Sequence, residues 1–377
     1  MPKPRLLCVV GTRPEAIKVS PVVLELRKFA DVAETVLVST GQHREMLAQS
    51  LGAFGLTPDE DLDIMQHGQT LAQVTSRALT GLDALIDKLS PAMIVAQGDT
   101  TTTFVAALNS FYRRVTFAHV EAGLRTDTID NPFPEEFNRR AAGLVANIHF
   151  PPTQWAANNL LAEGKNPKDI FVTGNTGIDA VLAMGSKAET AWYPEHQGRV
   201  VLLTTHRREN WGEPQRGIAR VARKLVEEFP DILLVVPMHR NPQVREVLTS
   251  VLDGHDRIKL IEPPDYTEFV PLMKRSALIL SDSGGVQEEA PAFGIPVLVL
   301  RDTTERPEGV EAGTAKLVGT HEDRIYMESR KLLSDESAHR AMANAVSPYG
   351  DGKASARIRY VALKALGIDS PEVPMWA

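Results

Sequence analysis

The strongest constraint on the fold is a regular alternation, along nearly the whole chain, of short β-branched apolar runs and longer amphipathic stretches. This alternation is typical of a parallel sheet flanked by helices. In the first half it predicts strands at Leu6–Val10, Glu34–Ser39, Met93–Ala96, Val115–His119, Asn147–Phe150 and Ile170–Val172. In the second half it predicts strands at Val200–Leu203, Ile232–Val236, Ile258–Ile261, Leu278–Leu280 and Val297–Leu300. Helices are predicted at Pro14–Phe29, Leu71–Leu89 and Ala354–Leu366.

The alternation is interrupted once, by an aperiodic segment rich in turn residues around Gly185–Arg199. With 377 residues, the chain also exceeds what one hydrophobic core usually supports. We therefore predict an α/β protein of two Rossmann-like, doubly wound domains, residues 1–175 and 176–353, with residues 354–377 packing back on the first. The expected ligand site is a cleft to which both domains present the carboxyl ends of their strands.

Charge and cysteine content exclude several classes of partner. The chain has 41 Lys and Arg against 48 Asp and Glu, a formal charge of −7, so no overall footprint for nucleic acid or an anionic membrane is present. The single cysteine, Cys8, lies in an apolar run and is expected to be a buried strand residue. One cysteine excludes an internal disulfide framework. No apolar run is long enough for a signal sequence or a membrane span, so a cytoplasmic protein is expected.

Two motifs at strand ends carry features of anion sites. Gly11-Thr12-Arg13-Pro14 follows the first strand, with a glycine that permits a tight turn and a proline placed to open a helix. Arg13 and Lys18 would then meet a diphosphate at the strand's carboxyl edge. An exposed turn with incidental cations is the alternative. The chain has neither a G-x-G-x-x-G nor a Walker A loop, which disfavours NAD(P) and P-loop chemistry.

The second motif, Ser281 to Glu289, follows the run Ala277–Leu280. Ser283 can cap the next helix, and Gly284 and Gly285 allow its free N–H groups to approach a phosphate. Glu289 is placed to accept hydrogen bonds from ribose hydroxyls. A purely structural cap is the alternative.

Carboxylates cluster at strand ends of the first domain. Asp99 ends one predicted strand, Glu121 ends the next, and Glu135 with Glu136 opens a helix. Because parallel strands end at one edge of a sheet, these groups would converge and supply both a general base and a general acid. Singly, each is more often a helix cap or a surface charge.

Two histidines follow strands of the second domain, His206 and His239. They lack H-x-x-x-H or H-E-x-x-H spacing, and Arg207 and Arg208 follow His206 directly, so phosphate contact is favoured over metal binding.

In order along the chain, these segments resemble the non-hydrolysing bacterial UDP-N-acetylglucosamine 2-epimerases. The resemblance covers nearly the whole sequence and is carried by Gly11-Thr12-Arg13-Pro14-Glu15, Gln42-His43-Arg44, Gly98-Asp99-Thr100-Thr101-Thr102-Thr103, His119 to Arg125, Phe133-Pro134-Glu135-Glu136, His206-Arg207-Arg208-Glu209, Ser283-Gly284-Gly285, Arg301 to Glu308, and Pro348-Tyr349-Gly350-Asp351-Gly352.

The resemblance implies a GT-B type fold, a homodimer, and reversible interconversion of UDP-N-acetylglucosamine and UDP-N-acetylmannosamine that supplies cell-surface polysaccharide. It implies phosphate and nucleotide contacts, with Phe269 near the uracil, at Arg13, Lys18, His206, Phe269, Ser283, Gly284, Gly285, Glu289 and Arg306. It implies catalytic roles for Asp99, Glu121, Glu135 and His206.

The chemistry fits these residues. The proton at sugar C2 is not next to a carbonyl, so a plausible route is anti elimination of UDP to 2-acetamidoglucal, followed by re-addition. That route needs carboxylates near C2 and cations at the departing diphosphate. It needs neither NAD nor a metal, and no cofactor is expected.

Some family members also bind UDP-N-acetylglucosamine at an activating site, which matches Gln42, His43, Arg207 and His239, together with Glu135. Two positions depart from that pattern: Glu45 replaces an expected Gln, and Gly68 replaces an expected Arg. Gln97 is a third departure, since His is expected before Gly98-Asp99.

Four other functions stay open at this point. They are a hydrolysing 2-epimerase that releases N-acetylmannosamine, a glycosyltransferase on the same fold, a 2-epimerase for a di-N-acetylated glucuronic acid substrate, and a non-catalytic nucleotide-sugar sensor. The carboxylate set argues against the transferase and the sensor.

Overall fold

The structure is a computed structural model that describes residues 3–41, 44–66, 68–126, 128–187, 192–304 and 306–376; of Arg44 it describes the main chain only. The strands are β1 (Arg5–Val10), β2 (Glu34–Ser39), β3 (Glu60–Asp61), β4 (Met93–Gln97), β5 (Thr116–Val120), β6 (Ile148–Phe150), β7 (Arg199–Thr204), β8 (Ile232–Pro237), β9 (Ile258–Ile261), β10 (Ser276–Ser281), β11 (Val297–Val299) and β12 (Ala315–Leu317).

The helices are α1 (Arg13–Arg27), α2 (Arg44–Ala53), α3 (Leu71–Leu89), α4 (Thr101–Arg113), α5 (Glu135–Val145), α6 (Gln154–Ala162), α7 (Thr176–Lys187), α8 (Glu213–Glu228), α9 (Pro242–Leu252), α10 (Tyr266–Arg275), α11 (Gly284–Glu289), α12 (Pro307–Glu311), α13 (Glu322–Ser334), α14 (Glu336–Ala343) and α15 (Ala354–Ala365).

The chain divides into two compact units. Unit 1 contains the residues up to Ala180 and those from Tyr349 onwards, and unit 2 is Val181–Pro348. Helix α15 belongs to unit 1, where it packs against α1. Its first two N–H groups, those of Ala354 and Ser355, donate to the Asp179 carboxylate at 3.2 and 2.8 Å.

Unit 1 is built on a six-stranded parallel sheet in the order β3-β2-β1-β4-β5-β6. Strand β1 lies inside the sheet and is covered on both faces, so its run Leu6–Val10 is fully buried. Burial raises the pKa of the Cys8 thiol to about 12, which keeps it protonated. The prediction of a buried strand cysteine is confirmed.

Unit 2 repeats this connectivity in a second parallel sheet, ordered β12-β11-β10-β7-β8-β9. One of its two faces is covered by α8, α9 and α13, which contribute Ile218, Leu225, Leu248 and Ile325 to the core. The strand order reverses between β1 and β4 in unit 1 and between β10 and β7 in unit 2. In open α/β sheets, ligands bind outside the carboxyl ends of the strands at such a reversal.

The predicted fold class, α/β with two Rossmann-like sheets, is confirmed. One predicted strand is wrong, since residues 170–172 form only an isolated bridge between Ile170 and His149. Strands β3 and β12 were not predicted. They contain two and three residues at the edges of the two sheets, which is too short for a periodic signal.

No helix in the described part of the chain is both long enough and apolar enough to span a bilayer.

Candidate active site

The predicted site residues follow the strands that flank the order reversals. Gly11 follows β1 and Asp99 follows β4 in unit 1, while His206 follows β7 and Ser283 follows β10 in unit 2. Each unit therefore has its own group of polar side chains at the carboxyl edge of its own sheet.

Gly11 is required by packing at the end of β1. A Cβ atom on residue 11 would lie 2.1 Å from Thr102 Oγ1 and 2.5 Å from Thr40 Oγ1. Close packing therefore explains this glycine, in addition to the turn expected from the sequence.

Glu15 fixes the turn that follows Gly11. Its carboxylate is 1% exposed; Oε2 accepts from the N–H groups of Gly11 and Thr12 at 2.8 and 2.6 Å, and Oε1 accepts from Thr100 Oγ1 and Thr103 Oγ1 at 2.5 and 3.2 Å. Burial raises the pKa of Glu15, although its hydrogen bonds oppose that effect. Because Glu15 already holds these two N–H groups, a phosphate at this turn would depend on other donors.

Glu121 is held from two sides directly after β5. Lys18 Nζ lies 2.5 Å from its Oε1, and Gln97 Nε2 donates to its Oε2. Glu121 also has a φ of +62°, in the left-handed region that a non-glycine residue enters at a cost of about 1–2 kcal/mol. Lys18, which the sequence predicts as a diphosphate contact, thus forms an ion pair with a carboxylate in this structure.

Asp99 pairs with a cation from α5. Arg139 Nη2 contacts Asp99 Oδ2, and Asn138 Nδ2 donates to the Asp99 carbonyl at 2.9 Å. Arg139 also contacts the fully buried Glu136 at 3.1 Å, and Arg140 Nε lies 2.6 Å from the same carboxylate. The start of α5 is therefore fixed against the turn that carries Asp99.

Glu135 and Arg13 are the first residues of α5 and α1, and both are half-buried. Within the described part of the chain, neither side chain makes a hydrogen bond or an ion pair. The three predicted carboxylates thus lie in different surroundings: two contact cations, and Glu135 contacts none of those described.

In unit 2, a buried carboxylate organises the loop after β7. Asp282 is fully buried and accepts from the N–H groups of His206 and Arg207 at 3.0 and 3.1 Å and from Asn210 Nδ2 at 3.0 Å. His206 Nδ1 lies 3.1 Å from Asp282 Oδ1. Burial opposes ionisation of Asp282, but the His206 imidazole and these N–H donors lower the pKa of its carboxyl overall. The Asp282 contact orients the imidazole of His206 and leaves Nε2 for another partner.

The second anion motif begins α11. Ser283 occupies the N-cap position, but its hydroxyl makes no capping bond among the described residues, so that predicted contact is wrong. Its N–H donates instead to Ser281 Oγ at 3.0 Å. The Arg306 guanidinium lies over Gly284, where a Cβ atom would be 2.6 Å from Arg306 Nη1. Arg306 Nε also donates to Glu288 Oε1 at 2.5 Å.

The other residues predicted to contact the nucleotide are Gly285, Glu289 and Phe269, and all three belong to unit 2. Gly285 is the second residue of α11, and a Cβ atom there would meet none of the described atoms within 4 Å. Glu289 is the last residue of α11, and Phe269 is a half-buried residue of α10.

Arg207 and His239, predicted for an activating site, line one cavity of about 550 Å³ with His206 and Trp211. The rings of His206 and His239 stack with centroids 6.0 Å apart. Burial, followed by the charge of His206, lowers the pKa of His239. Gln42 and His43, predicted for the same site, lie outside the described residues. Among the described residues, no group of three or more His, Cys, Asp or Glu side chains is arranged to hold a metal ion.

Several side chains of this site were not singled out from the sequence: Glu15, Arg139 and Asp282, and Gln97 as a partner of Glu121. Only Glu15 carried a local signal, since Thr12-x-x-Glu15 has the pattern of a capping box. Arg139 and Asp282 act on residues 40 and 76 positions away in the chain, and no local pattern reports such a pairing.

Comparison with known proteins covers nearly the whole chain. Residues 25–362 match the family model described as UDP-N-acetylglucosamine 2-epimerase. The UDP-N-acetylglucosamine 2-epimerase of Bacillus subtilis is 50% identical over 360 residues, which cover 95% of this chain and 94% of that protein. A crystal structure of a UDP-N-acetylglucosamine 2-epimerase superposes with a TM-score of 0.92 at 45% identity and covers all of both chains. The Neisseria meningitidis enzyme bound to UDP-GlcNAc gives a TM-score of 0.86 at 43% identity and covers 96% of this chain and 100% of that chain.

Proposed function

This chain belongs to the UDP-N-acetylglucosamine 2-epimerase family, and we propose that it interconverts UDP-N-acetylglucosamine and UDP-N-acetylmannosamine without net hydrolysis. The observation that carries this proposal is the set of three carboxylates in unit 1. Asp99 and Glu121 each form an ion pair, and Glu135 contacts no cation among the described residues. The nucleotide sugar itself is supported by the related Neisseria meningitidis structure, which was solved with UDP-GlcNAc. Supply of N-acetylmannosamine units for cell-surface polysaccharide belongs to the same proposal.

In the proposed reaction, a carboxylate removes the C2 proton while the C1–O bond to UDP breaks, which leaves a C1–C2 double bond in 2-acetamidoglucal. UDP then adds back to C1, and a proton is delivered to the opposite face of C2. Carboxylates in unlike surroundings suit this sequence, because one group must be ionised while another holds a proton. His206 and Arg306 are suited to the developing charge on UDP, since the imidazole and the guanidinium are both hydrogen-bond donors in unit 2.

NMR of the purified protein with UDP-N-acetylglucosamine in deuterated water tests this mechanism. Deuterium should appear at C2 of both epimers, because the proton is exchanged with solvent through the enzyme. Asp99→Asn is the matched variant: it should lower kcat about 10²–10⁴-fold and leave UDP affinity nearly unchanged. Full retention of the original C2 hydrogen would exclude elimination. Accumulation of free N-acetylmannosamine would identify a hydrolysing enzyme instead.

We also propose that the chain works as a homodimer. Four apolar side chains of α4 and α5 are strongly exposed: Phe111 and Tyr112 at 63%, Leu144 at 75% and Phe137 at 47%. Phe111, Tyr112 and Val145 line one cavity of about 620 Å³. Several large apolar side chains that are exposed on the same two helices are typical of a surface that another protein chain covers.

A further inference from the structure

Three contacts fix Glu121 at the carboxyl edge of the first sheet, and one of them comes from a neutral amide. Lys18 of α1 binds Oε1 at 2.5 Å, while the side-chain amide of Gln97, the last residue of β4, donates to Oε2. The Glu121 main-chain N–H donates to the Phe150 carbonyl at 3.0 Å. Both oxygens of the carboxylate and its main chain are therefore held by different elements of unit 1.

These contacts are withdrawn from bulk water. Gln97 is 4% exposed as a residue, and the side chains of Glu121 and Lys18 are 9% and 17% exposed. Both carboxylate oxygens receive a donor, and burial strengthens each contact. The amide of Gln97 supplies its donor without a charge and does not titrate, so it adds no charge to the Lys18–Glu121 pair.

The main chain adds a directional constraint. Glu121 has a φ of +62°, and Gln97 pairs with Val120 in the register of β4 and β5. The left-handed conformation turns the chain directly after the strand. In this position Glu121 Oε2 accepts a hydrogen bond from the side-chain amide of Gln97. Such backbone conformations are kept where neighbouring groups hold them, often at functional sites.

We infer that Gln97 is a positioning residue for proton transfer, which holds the Glu121 carboxylate in a single orientation opposite Lys18. This inference rests on the proposed function, since it takes Glu121 as a group that exchanges the C2 proton. A merely structural role would be different: Gln97 would then fill a buried position, and its loss would lower stability alone.

Two variants separate these roles. Gln97→Met keeps the length of the side chain and removes the donor, so kcat should fall about ten- to a hundredfold with KM and UDP affinity near wild type. Gln97→Glu keeps the shape and places a second carboxyl against Glu121. The acid limb of its kcat–pH profile should move to higher pH by about one unit or more, because two adjacent carboxyls resist double ionisation.

Besides Lys18, the charged or titratable side chains on the surrounding elements include Arg13 and Glu15 of α1, Asp99, His119, Arg125 and His149, all of which are unchanged in the Gln97 variants. Burial lowers the pKa of His119 to about 4 and that of His149 to about 3, so both are neutral where activity would be measured. Asp99 is paired with Arg139. A shift of the acid limb in Gln97→Glu therefore reports the new carboxyl and Glu121.

Asn109 provides the matched control. It is 1% exposed, and its side-chain amide donates to the main-chain carbonyl of Leu79 at 3.1 Å rather than to a carboxylate. Asn109→Leu should lower the melting temperature and leave kcat and the pH profile as in wild type.

Wild-type kcat and an unmoved acid limb in the Gln97 variants would overturn the inference. Glu121→Gln decides whether the proposed function fails with it: an inactive Glu121→Gln keeps the catalytic role of Glu121, and an active one removes both. If Gln97→Met does not fold, the pH profile of Gln97→Glu decides alone, and an unchanged acid limb there overturns the inference.

Discussion

The two glycines at the start of α11 differ in the space around them, so substitutions there can distinguish a packing role from close approach of a ligand. At Gly284 the Arg306 guanidinium lies 2.6 Å from the position of a Cβ atom, whereas at Gly285 no atom of the described part of the chain lies within 4 Å of that position. Gly284→Ala must therefore displace the Arg306 guanidinium, together with its contact to Glu288. Because the guanidinium is the far end of a flexible side chain, we expect little change in the melting temperature without ligand, but at least tenfold weaker binding of UDP, as measured by calorimetry.

Gly285→Ala is the control for this prediction, because it adds the same methyl group to the same helix without contact to any atom that the structure describes. Its melting temperature without ligand should equal or exceed that of wild type, since Ala favours a helix over Gly. Any loss of UDP affinity in Gly285→Ala then reports a phosphate that approaches residue 285 directly. Wild-type UDP affinity in Gly284→Ala would show that UDP binding does not need the guanidinium of Arg306 in its present position.

The two predicted anion sites differ in which main-chain N–H groups are left for a ligand. At the start of α1, Glu15 occupies the N–H groups of Gly11 and Thr12, so a phosphate there would depend on other donors such as the side chain of Arg13. At α11 the side chain of Ser283 does not cap the helix, and the first N–H groups have no side-chain acceptor from it. Main-chain binding of a phosphate is therefore better supported in unit 2 than in unit 1.

Among the elements, α15 depends on a carboxylate from another helix. Asp179 of α7 accepts the first two N–H groups of α15, and burial raises the pKa of Asp179 from 3.8 to about 6. A raised pKa in the folded state favours the protonated form. The stability it provides is complete below about pH 4 and is lost as the pH rises through about 6.

Asp179→Asn should remove this pH dependence. As the pH rises from about 4 to 7, the free energy of unfolding of wild type should fall relative to that of Asp179→Asn by roughly 3 kcal/mol. Denaturant titrations at several pH values measure the difference. A constant difference across this range would contradict the assignment.

Asp351, just before α15, gives a control of opposite sign. The bidentate contact with Arg357 lowers the pKa of Asp351, so its contribution is present above the unfolded pKa and is lost as the pH falls. Asp351→Asn should therefore differ from wild type most at neutral pH and least in acid.

At the scale of the whole molecule, the proposed dimer makes a prediction about mass. A charge placed within the exposed apolar group of α4 and α5 must be desolvated on association, which disfavours the dimer. Leu144→Glu and Tyr112→Glu should each shift the mass measured by light scattering from dimer towards monomer. Met327, 61% exposed on α13 of unit 2, is the control, and Met327→Glu should keep the wild-type mass. A monomeric wild-type protein would refute the dimer itself.

The sequence by itself determined the features that repeat over short distances. Strand and helix periodicity predicted ten of the strands and the two-sheet α/β class, and the position of Asp99, Glu121, His206 and Ser283 after strands placed them at sheet edges. These predictions succeed because the residue types along one continuous segment determine both the buried face of an element and the positions of its ends.

Only the tertiary structure decided which side chains meet. Lys18 contacts Glu121 across 103 residues, and Glu15 contacts Thr100 across 85. The order of strands in the sheet creates such contacts, and strand order is set by packing of the complete chain rather than by any local pattern. For the same reason Gly11, read from the sequence as a turn residue, proved to be fixed by the Thr40 and Thr102 side chains packed against it.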